Sequence, residues 1–216
     1  MKSKYDVIII GGGMGGLFAA YQLRKLNKDI SIVILDKGRK LEERHCPASK
    51  GMPCTHCNVC AITSGLAGSG AFSDAKFNLG TAYGGTLGEE LGDEVAMEYI
   101  NRVDDILREF SEEYPEMYES NDNLKLECLQ NNLRLLDMNV RHLGTDRNAI
   151  TMRNLINWLG DNDIEIHPNI TCRGIYKLTH EKEYRVQYID SNKGNLHTET
   201  KAKRIIVATG RGGADF

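Results

Sequence analysis

Tyr5-Asp6-Val7-Ile8-Ile9-Ile10-Gly11-Gly12-Gly13-Met14-Gly15-Gly16 is an apolar, strand-forming run that leads directly into a glycine loop. Gly11, Gly13 and Gly16 stand at the G-x-G-x-x-G spacing. The first lets the chain turn tightly off a strand, the second lets a pyrophosphate approach bare backbone, and the third lets the following helix pack closely. Ala20 and Leu23 continue that helix, whose positive N-terminal end faces the phosphates. A second apolar run, Ile30-Ser31-Ile32-Val33-Ile34-Leu35, ends in Asp36, 20 residues after Gly16. A carboxylate there accepts hydrogen bonds from an adenosine ribose and repels a 2′-phosphate. A glycine-rich turn without a ligand explains the glycines alone, but not their position between strand and helix with an acid closing the next strand. The motif marks an adenine dinucleotide and does not separate NAD from FAD.

The chain has 216 residues, enough for one large domain or one domain and part of another. A net charge of -3 gives no reason to expect nucleic acid or an anionic membrane as partner. The apolar stretches are strand-sized, short of the ~20 residues that cross a bilayer. Met1-Lys2-Ser3-Lys4 runs straight into the first strand without the features of a signal peptide, so the expected compartment is the cytoplasm. Six cysteines in that compartment read as thiols, metal ligands or redox groups rather than structural disulfides.

Residues 5–38 read as strand, helix, strand. A cysteine- and glycine-rich segment with little periodicity follows over 44–92, and loops this long are usually functional. Val95, Tyr99, Val103, Ile106, Leu107 and Phe110 predict an amphipathic helix over 94–113, ended by Pro115, and a second helical stretch covers 124–135. Arg141-His142-Leu143-Gly144-Thr145-Asp146 reads as a polar turn whose Thr145 or Asp146 caps a helix running to 159. Ile164-Glu165-Ile166-His167 alternates as a short strand. Residues 171–178, 184–189 and 196–200 predict a three-stranded antiparallel meander, and a last strand, Arg204-Ile205-Ile206-Val207-Ala208, ends in Thr209-Gly210.

This order, together with Arg44-His45-Cys46-Pro47, the cysteine cluster, Gly68-Ser69-Gly70-Ala71-Phe72-Ser73-Asp74-Ala75-Lys76 and the segment from Arg141 to Asp146, resembles a bacterial family of FAD-dependent dehydrogenases within the two-dinucleotide-fold flavoproteins. The resemblance implies an α/β, Rossmann-like FAD/NAD(P)-binding three-layer fold with a parallel sheet, a three-stranded antiparallel meander and an inserted helical region, incomplete at the C-terminus. Members of that family are about twice this length, so the chain matches their N-terminal half and reads as an N-terminal portion: a fragment, a truncated gene, or a split gene product whose remainder a partner chain would supply. The implied organisation is an FAD-binding core with a cysteine-rich loop over 1–80, a helical insertion belonging to a substrate or cap region over 81–140, and a return to the FAD-binding domain over 141–216.

By the same resemblance, Gly11, Gly13, Met14, Gly15 and Gly16 line the pyrophosphate, Asp36 meets the adenosine ribose, and Lys37, Gly38 and Arg39 edge the adenosine. Gly70, Ala71, Phe72, Ser73 and Asp74 pass near the flavin, with a surface loop as the plainer reading, and Thr209 and Gly210 close on the cofactor from the other side, with a strand-end turn as the plainer reading.

Cys46, Cys54, Cys57 and Cys60 form C-x7-C-x2-C-x2-C. Three thiols two residues apart can converge on one centre, which an iron–sulfur cluster requires, with Cys46 as fourth ligand. Zinc is the next reading, with His45 or His56 able to replace a sulfur. A redox dithiol and unliganded thiols complete the alternatives. Cys128 and Cys172 read as buried small apolar residues. Arg141, His142 and Asp146 are either substrate or flavin contacts or a capping turn, and His167, His180 and His197 have no partner nearby in sequence.

The function expected is an FAD-dependent oxidoreductase, dehydrogenase-like, acting on a small organic substrate, with no catalytic residue identified. The alternative is a non-catalytic, incomplete cofactor-binding fragment with a structural metal, needing a partner polypeptide.

Overall fold

The computed structural model describes residues 1–82, 84–119, 121–135 and 138–213. The chain forms two compact units, one of residues 1–71 and 155–216, the other of residues 72–154.

The first unit is built on a six-stranded sheet. Strand β1 (Lys4–Ile10) is followed by helix α1 (Met14–Leu26) and strand β2 (Ile32–Leu35). Strand β1 lies parallel to β2, with Ile10 opposite Leu35. Every residue of β2 is buried, as expected of a strand covered on both faces. Gly16, Leu17, Ala20 and Tyr21 are the buried side of α1, and the small residues among them allow close packing. The end of helix α5 (Thr145–Asp161) lies beside α1, where the rings of Tyr21 and Trp158 stand 4.9 Å apart.

Strand β5 (Ile164–His167) extends the sheet beyond β2, in parallel. Strands β6 (Ile170–Leu178), β7 (Glu183–Asp190) and β8 (Leu196–Val207) form the antiparallel meander at the other side. The alternation in sequence predicts two strands here, 196–200 and 204–208. Instead β8 is one 12-residue strand, because Lys201-Ala202-Lys203 contains no turn residue and Thr200 and Ala202 continue the buried alternation. Its first half pairs with β7 and its second half runs parallel to β1, so one strand serves both meander and dinucleotide fold. Tyr5, Ile8, Ile10, Val33, Leu35, Ile170, Val186, Tyr188 and Ala202 form the core beneath the meander. Each such large apolar side chain contributes ~1.5–3 kcal/mol relative to exposure. Cys172 packs against this cluster, and burial pushes its thiol up to about 11, in keeping with a small apolar filler.

In the second unit, β3 (Lys76–Leu79) pairs antiparallel with β4 (Asn139–His142). Arg141 and His142 therefore lie on a strand and not in the predicted turn. Helices α2 (Leu87–Leu91), α3 (Asp93–Phe110) and α4 (Asp122–Gln130) complete the unit with the first part of α5. Helix α3 stops before the predicted 113, since Ser111 turns extended and its hydroxyl donates to the Leu107 carbonyl at 2.7 Å. Helix α4 begins earlier than predicted because the Asn121 side chain accepts from the Leu124 amide at 2.7 Å. The predicted stretch to 135 also stops short, at Gln130, with Asn132 at φ 57° in the turn that follows. Among the described residues no helix is long and apolar enough to cross a membrane.

Candidate functional site

The parallel register brings the C-terminal ends of β1, β2 and β8 side by side, with Ile10 opposite both Leu35 and Val207. The Gly11 amide donates to the Leu35 carbonyl, and the Ala208 amide to the Ile10 carbonyl, each at 2.8 Å. Gly11 takes φ +107°, and a Cβ there would overlap the Ala208 carbonyl. A Cβ at Gly16 would overlap the Gly11 carbonyl oxygen, so that glycine sets how closely α1 approaches the loop.

Gly13 and Gly15 differ from these two. A Cβ at Gly13 would meet Gly68 at 3.6 Å, and one at Gly15 the Ala208 side chain at 3.8 Å, both ordinary contact distances, so neither position at the helix start is sterically closed. No side chain caps α1 and its first turn holds no acid. The other helices place acids in their first turns: Glu89 and Glu90 in α2, Asp93 and Glu94 in α3, Asp122 in α4 and Asp146 in α5. The positive end of α1 is thus left for an anion, with bare backbone on one side and Ala208 on the other. A dinucleotide pyrophosphate fits this cradle.

Asp36 is buried, and its two oxygens accept from the amides of Gly12 and Gly38, both at 2.7 Å. The carboxylate therefore ties the end of β2 to the glycine loop. Each carboxylate oxygen retains a second acceptor site, which a ribose hydroxyl can use. The Lys37 ammonium donates to the Gly212 carbonyl at 3.1 Å, and the turn of Arg211–Gly213 brings Gly213 against Thr209. Arg39 is exposed, and its carbonyl accepts from Leu66 at 3.1 Å. The structure thus gathers Gly11, Gly13, Met14, Gly15, Gly16, Asp36, Lys37, Gly38, Thr209 and Gly210 at one end of the sheet.

The sequence predicts no site role for residues 64–67 or Arg44, yet that segment packs on the glycine loop and Arg44 holds it there. The Ala67 amide donates to the Gly12 carbonyl at 2.8 Å, while Gly65 packs directly on Gly38 and Gly68 on Gly13. The Arg44 guanidinium, buried, donates to the carbonyls of Ala61, Leu66, Gly68 and Ile62 at 2.8, 2.7, 2.8 and 2.6 Å. Burial draws its pKa down, opposed by the charges of Asp36 and Cys60. It stays charged, since arginine starts so far above neutrality. The glycines at 65 and 68 were the available signal; a single arginine before a loop gives none.

The predicted metal centre is not formed. Cys54, Cys57 and Cys60 are exposed and Cys46 is half-buried, all four as free thiols. Among the described residues no three His, Cys, Asp or Glu side chains converge as metal ligands, so neither the iron–sulfur nor the zinc reading is supported. Residues 51–60 are all exposed, and no buried side chain draws their thiols together. The Thr63 amide and hydroxyl, then the Ile62 amide, hold the Cys60 thiol below its ordinary pKa, with Arg44 adding to the effect.

Ser69–Phe72 form a short turn in which Ala71 is buried and Gly70 half-buried. Phe72, Ser73 and Asp74 are exposed and belong to the second unit. There Asp74 pairs with Lys76 at 2.9 Å, which holds its carboxyl below the usual range. Arg141 donates through Nε to both Asp104 oxygens at 3.0 Å and through Nη1 to the Pro115 carbonyl at 2.8 Å. The Tyr114 hydroxyl donates to the same Asp104 at 2.5 Å. Arg141 is therefore a structural tie within its own unit. His142 is exposed, 4.0 Å from Asp74, and His167 lies 3.2 Å from Glu165.

The family model described as pyridine nucleotide-disulphide oxidoreductase matches residues 5–216. No curated protein is similar enough to this chain to count as a match. Among solved structures, a 3-ketosteroid-delta4-(5alpha)-dehydrogenase from Rhodococcus jostii, in complex with 4-androstene-3,17-dione, is similar at 12% identity and TM-score 0.59, over 97% of this chain and 46% of its own. A glycine oxidase from Geobacillus kaustophilus is similar at 12% identity and TM-score 0.54, over 99% of this chain and 57% of its own. The protein AlpK is similar at 13% identity and TM-score 0.53, over 95% of this chain and 31% of its own. The chain thus spans between 31% and 57% of the length of these three solved chains, and the likeness is one of fold.

Proposed function

Because the chain belongs to the pyridine nucleotide-disulphide oxidoreductase family, we propose that it binds FAD and forms part of an FAD-dependent oxidoreductase acting on a small organic substrate. The observation that carries this reading is the open N-terminus of α1, bordered by Gly13, Gly15 and Ala208, beside a buried acid at the end of β2. FAD rather than NAD is favoured by the antiparallel meander whose long β8 re-enters the sheet next to β1 and ends at Thr209-Gly210.

The amides of Met14, Gly15 and Gly16 and the backbone of Gly11 and Gly13 would hold the pyrophosphate, and Asp36 would accept from the adenosine ribose. Lys37, Gly38 and Arg39 would border the adenosine, with Thr209 and Gly210 closing from β8, and Gly70 and Ala71 would lie toward the flavin end. When bound, FAD supplies the hydride or electron acceptor, which the side chains themselves lack. The chain's own residues bind and orient. Arg44 keeps segment 61–68 against the glycine loop, and Asp36 keeps the loop in its binding shape.

Equilibrium dialysis of the purified chain against FAD and NAD tests this. Saturable binding of FAD, tighter than NAD and with a flavin spectrum altered on binding, is expected. Binding of neither nucleotide would remove the proposal.

A further inference from the structure

The second unit contains a cavity of about 420 Å³, lined by β3, the glycine-rich segment after it, and one face of α3. Phe77 and Tyr99 supply aromatic walls, and Leu79, Ile100, Val103 and Leu107 supply aliphatic ones. The volume is in the range of small-molecule sites, which are mainly apolar with a few placed polar groups. Tyr99 and Val103 belong to the apolar stripe that predicted α3, yet they are 54% and 40% exposed and do not serve the core. The core side of α3 is carried instead by Ala96, Ile106, Leu107 and Phe110.

Charge at the cavity is already balanced. Among the described residues Asp104 is its one lining carboxylate, and both its oxygens are held by Arg141, with Tyr114 also on Oδ1. Among the described residues Lys76 is its one lining cation, and it pairs with Asp74 at 2.9 Å. Both lining charges already have a partner, so an ionised ligand would give up its water and compete with an existing pair for any counter-charge. Among the described residues the polar groups left for a ligand are neutral: the Asn78 amide, the Thr81 and Tyr99 hydroxyls and the backbone of Gly80, Gly84 and Gly85.

We propose that this cavity binds an uncharged organic molecule of roughly two or three fused rings, carrying at most a hydroxyl or carbonyl that meets those neutral groups. Its role as the oxidoreductase's substrate rests on the function proposed above; its binding does not.

The probe is 2-naphthol, titrated by fluorescence into the full chain without FAD, with the charged analogue 2-naphthalenesulfonate for comparison. Saturable, one-site binding of 2-naphthol is expected, with the sulfonate at least about tenfold weaker. Val103→Trp fills the cavity and is expected to weaken binding by about tenfold or more, whereas Val95→Trp, on α3 but outside the lining, leaves it unchanged. Methyl shifts in the native protein should concentrate at Leu79, Ile100 and Leu107, a readout that needs no variant to fold. Absence of saturation, equal binding of the sulfonate, equal effects of the two tryptophans or shifts outside the cavity would overturn the proposal. A chain that binds 2-naphthol but not FAD keeps the cavity and loses the oxidoreductase reading; one that binds FAD but not 2-naphthol does the reverse.

Discussion

The glycine loop and the cysteine loop are both short motifs with regular spacing, and the structure treats them oppositely. The loop of residues 11–16 is held by hydrogen bonds to Leu35, Asp36 and Ala67 and by the close packing of Gly11 on Ala208, which fixes the backbone it offers a ligand. Residues 54–60 lie exposed, and their thiols do not converge. Spacing becomes a site where buried neighbours impose the geometry. Arg44 marks the border: its carbonyl partners fix the chain from 61 to 68, directly after the last cysteine.

The largest expected effect breaks the well-held side. Gly16→Val forces a side chain into the Gly11 carbonyl and should destabilise the first unit by about 3 kcal/mol or more in urea unfolding, or prevent folding. Arg44→Met strips the donor from buried carbonyls and should cost about 2–3 kcal/mol, with protease sensitivity appearing at residues 61–68; Arg44→Lys should recover only part, lacking the forked donors. Asp36→Ala leaves the Gly12 and Gly38 amides without their acceptor, at about 1–3 kcal/mol, and should also weaken FAD. The smallest effect belongs to the cysteine loop. Replacing Cys54, Cys57 and Cys60 by Ser together should change stability by no more than about 0.5 kcal/mol, and elemental analysis should find no iron or zinc lost with them. Within that loop, Cys60 should react with iodoacetamide faster than Cys54 or Cys57 near neutral pH, since its hydrogen bonds favour the thiolate.

The dinucleotide fold was legible because each of its parts is local. Strand, loop and helix lie within residues 5–26, and the acid follows at the end of the next strand. The meander was legible from alternation, though the join of its third strand to the parallel strand was not. Polar Lys201 and Lys203 look like an interruption, yet they flank buried Ala202 on an unbroken strand. Arg44 was opaque because its partners are carbonyls, which carry no sequence signal. The metal reading finds no support for the complementary reason: cysteine spacing is visible in sequence, while the convergence of thiols depends on packing around them. Likewise Arg141 was read as a turn residue because its partner, Asp104, is distant in sequence.

The central claim is that the first turn of α1 is kept free of acids to receive a phosphate. Gly15→Glu tests it most directly, because the position has room and the substitution should help the helix while opposing the ligand. Calorimetric titration with FAD, run beside urea unfolding of both proteins, gives the two readouts. Stability unchanged or raised by about 0.5–1 kcal/mol is expected, with FAD affinity reduced by about tenfold or more. A folded Gly15→Glu protein that binds FAD as tightly as the native chain would contradict it.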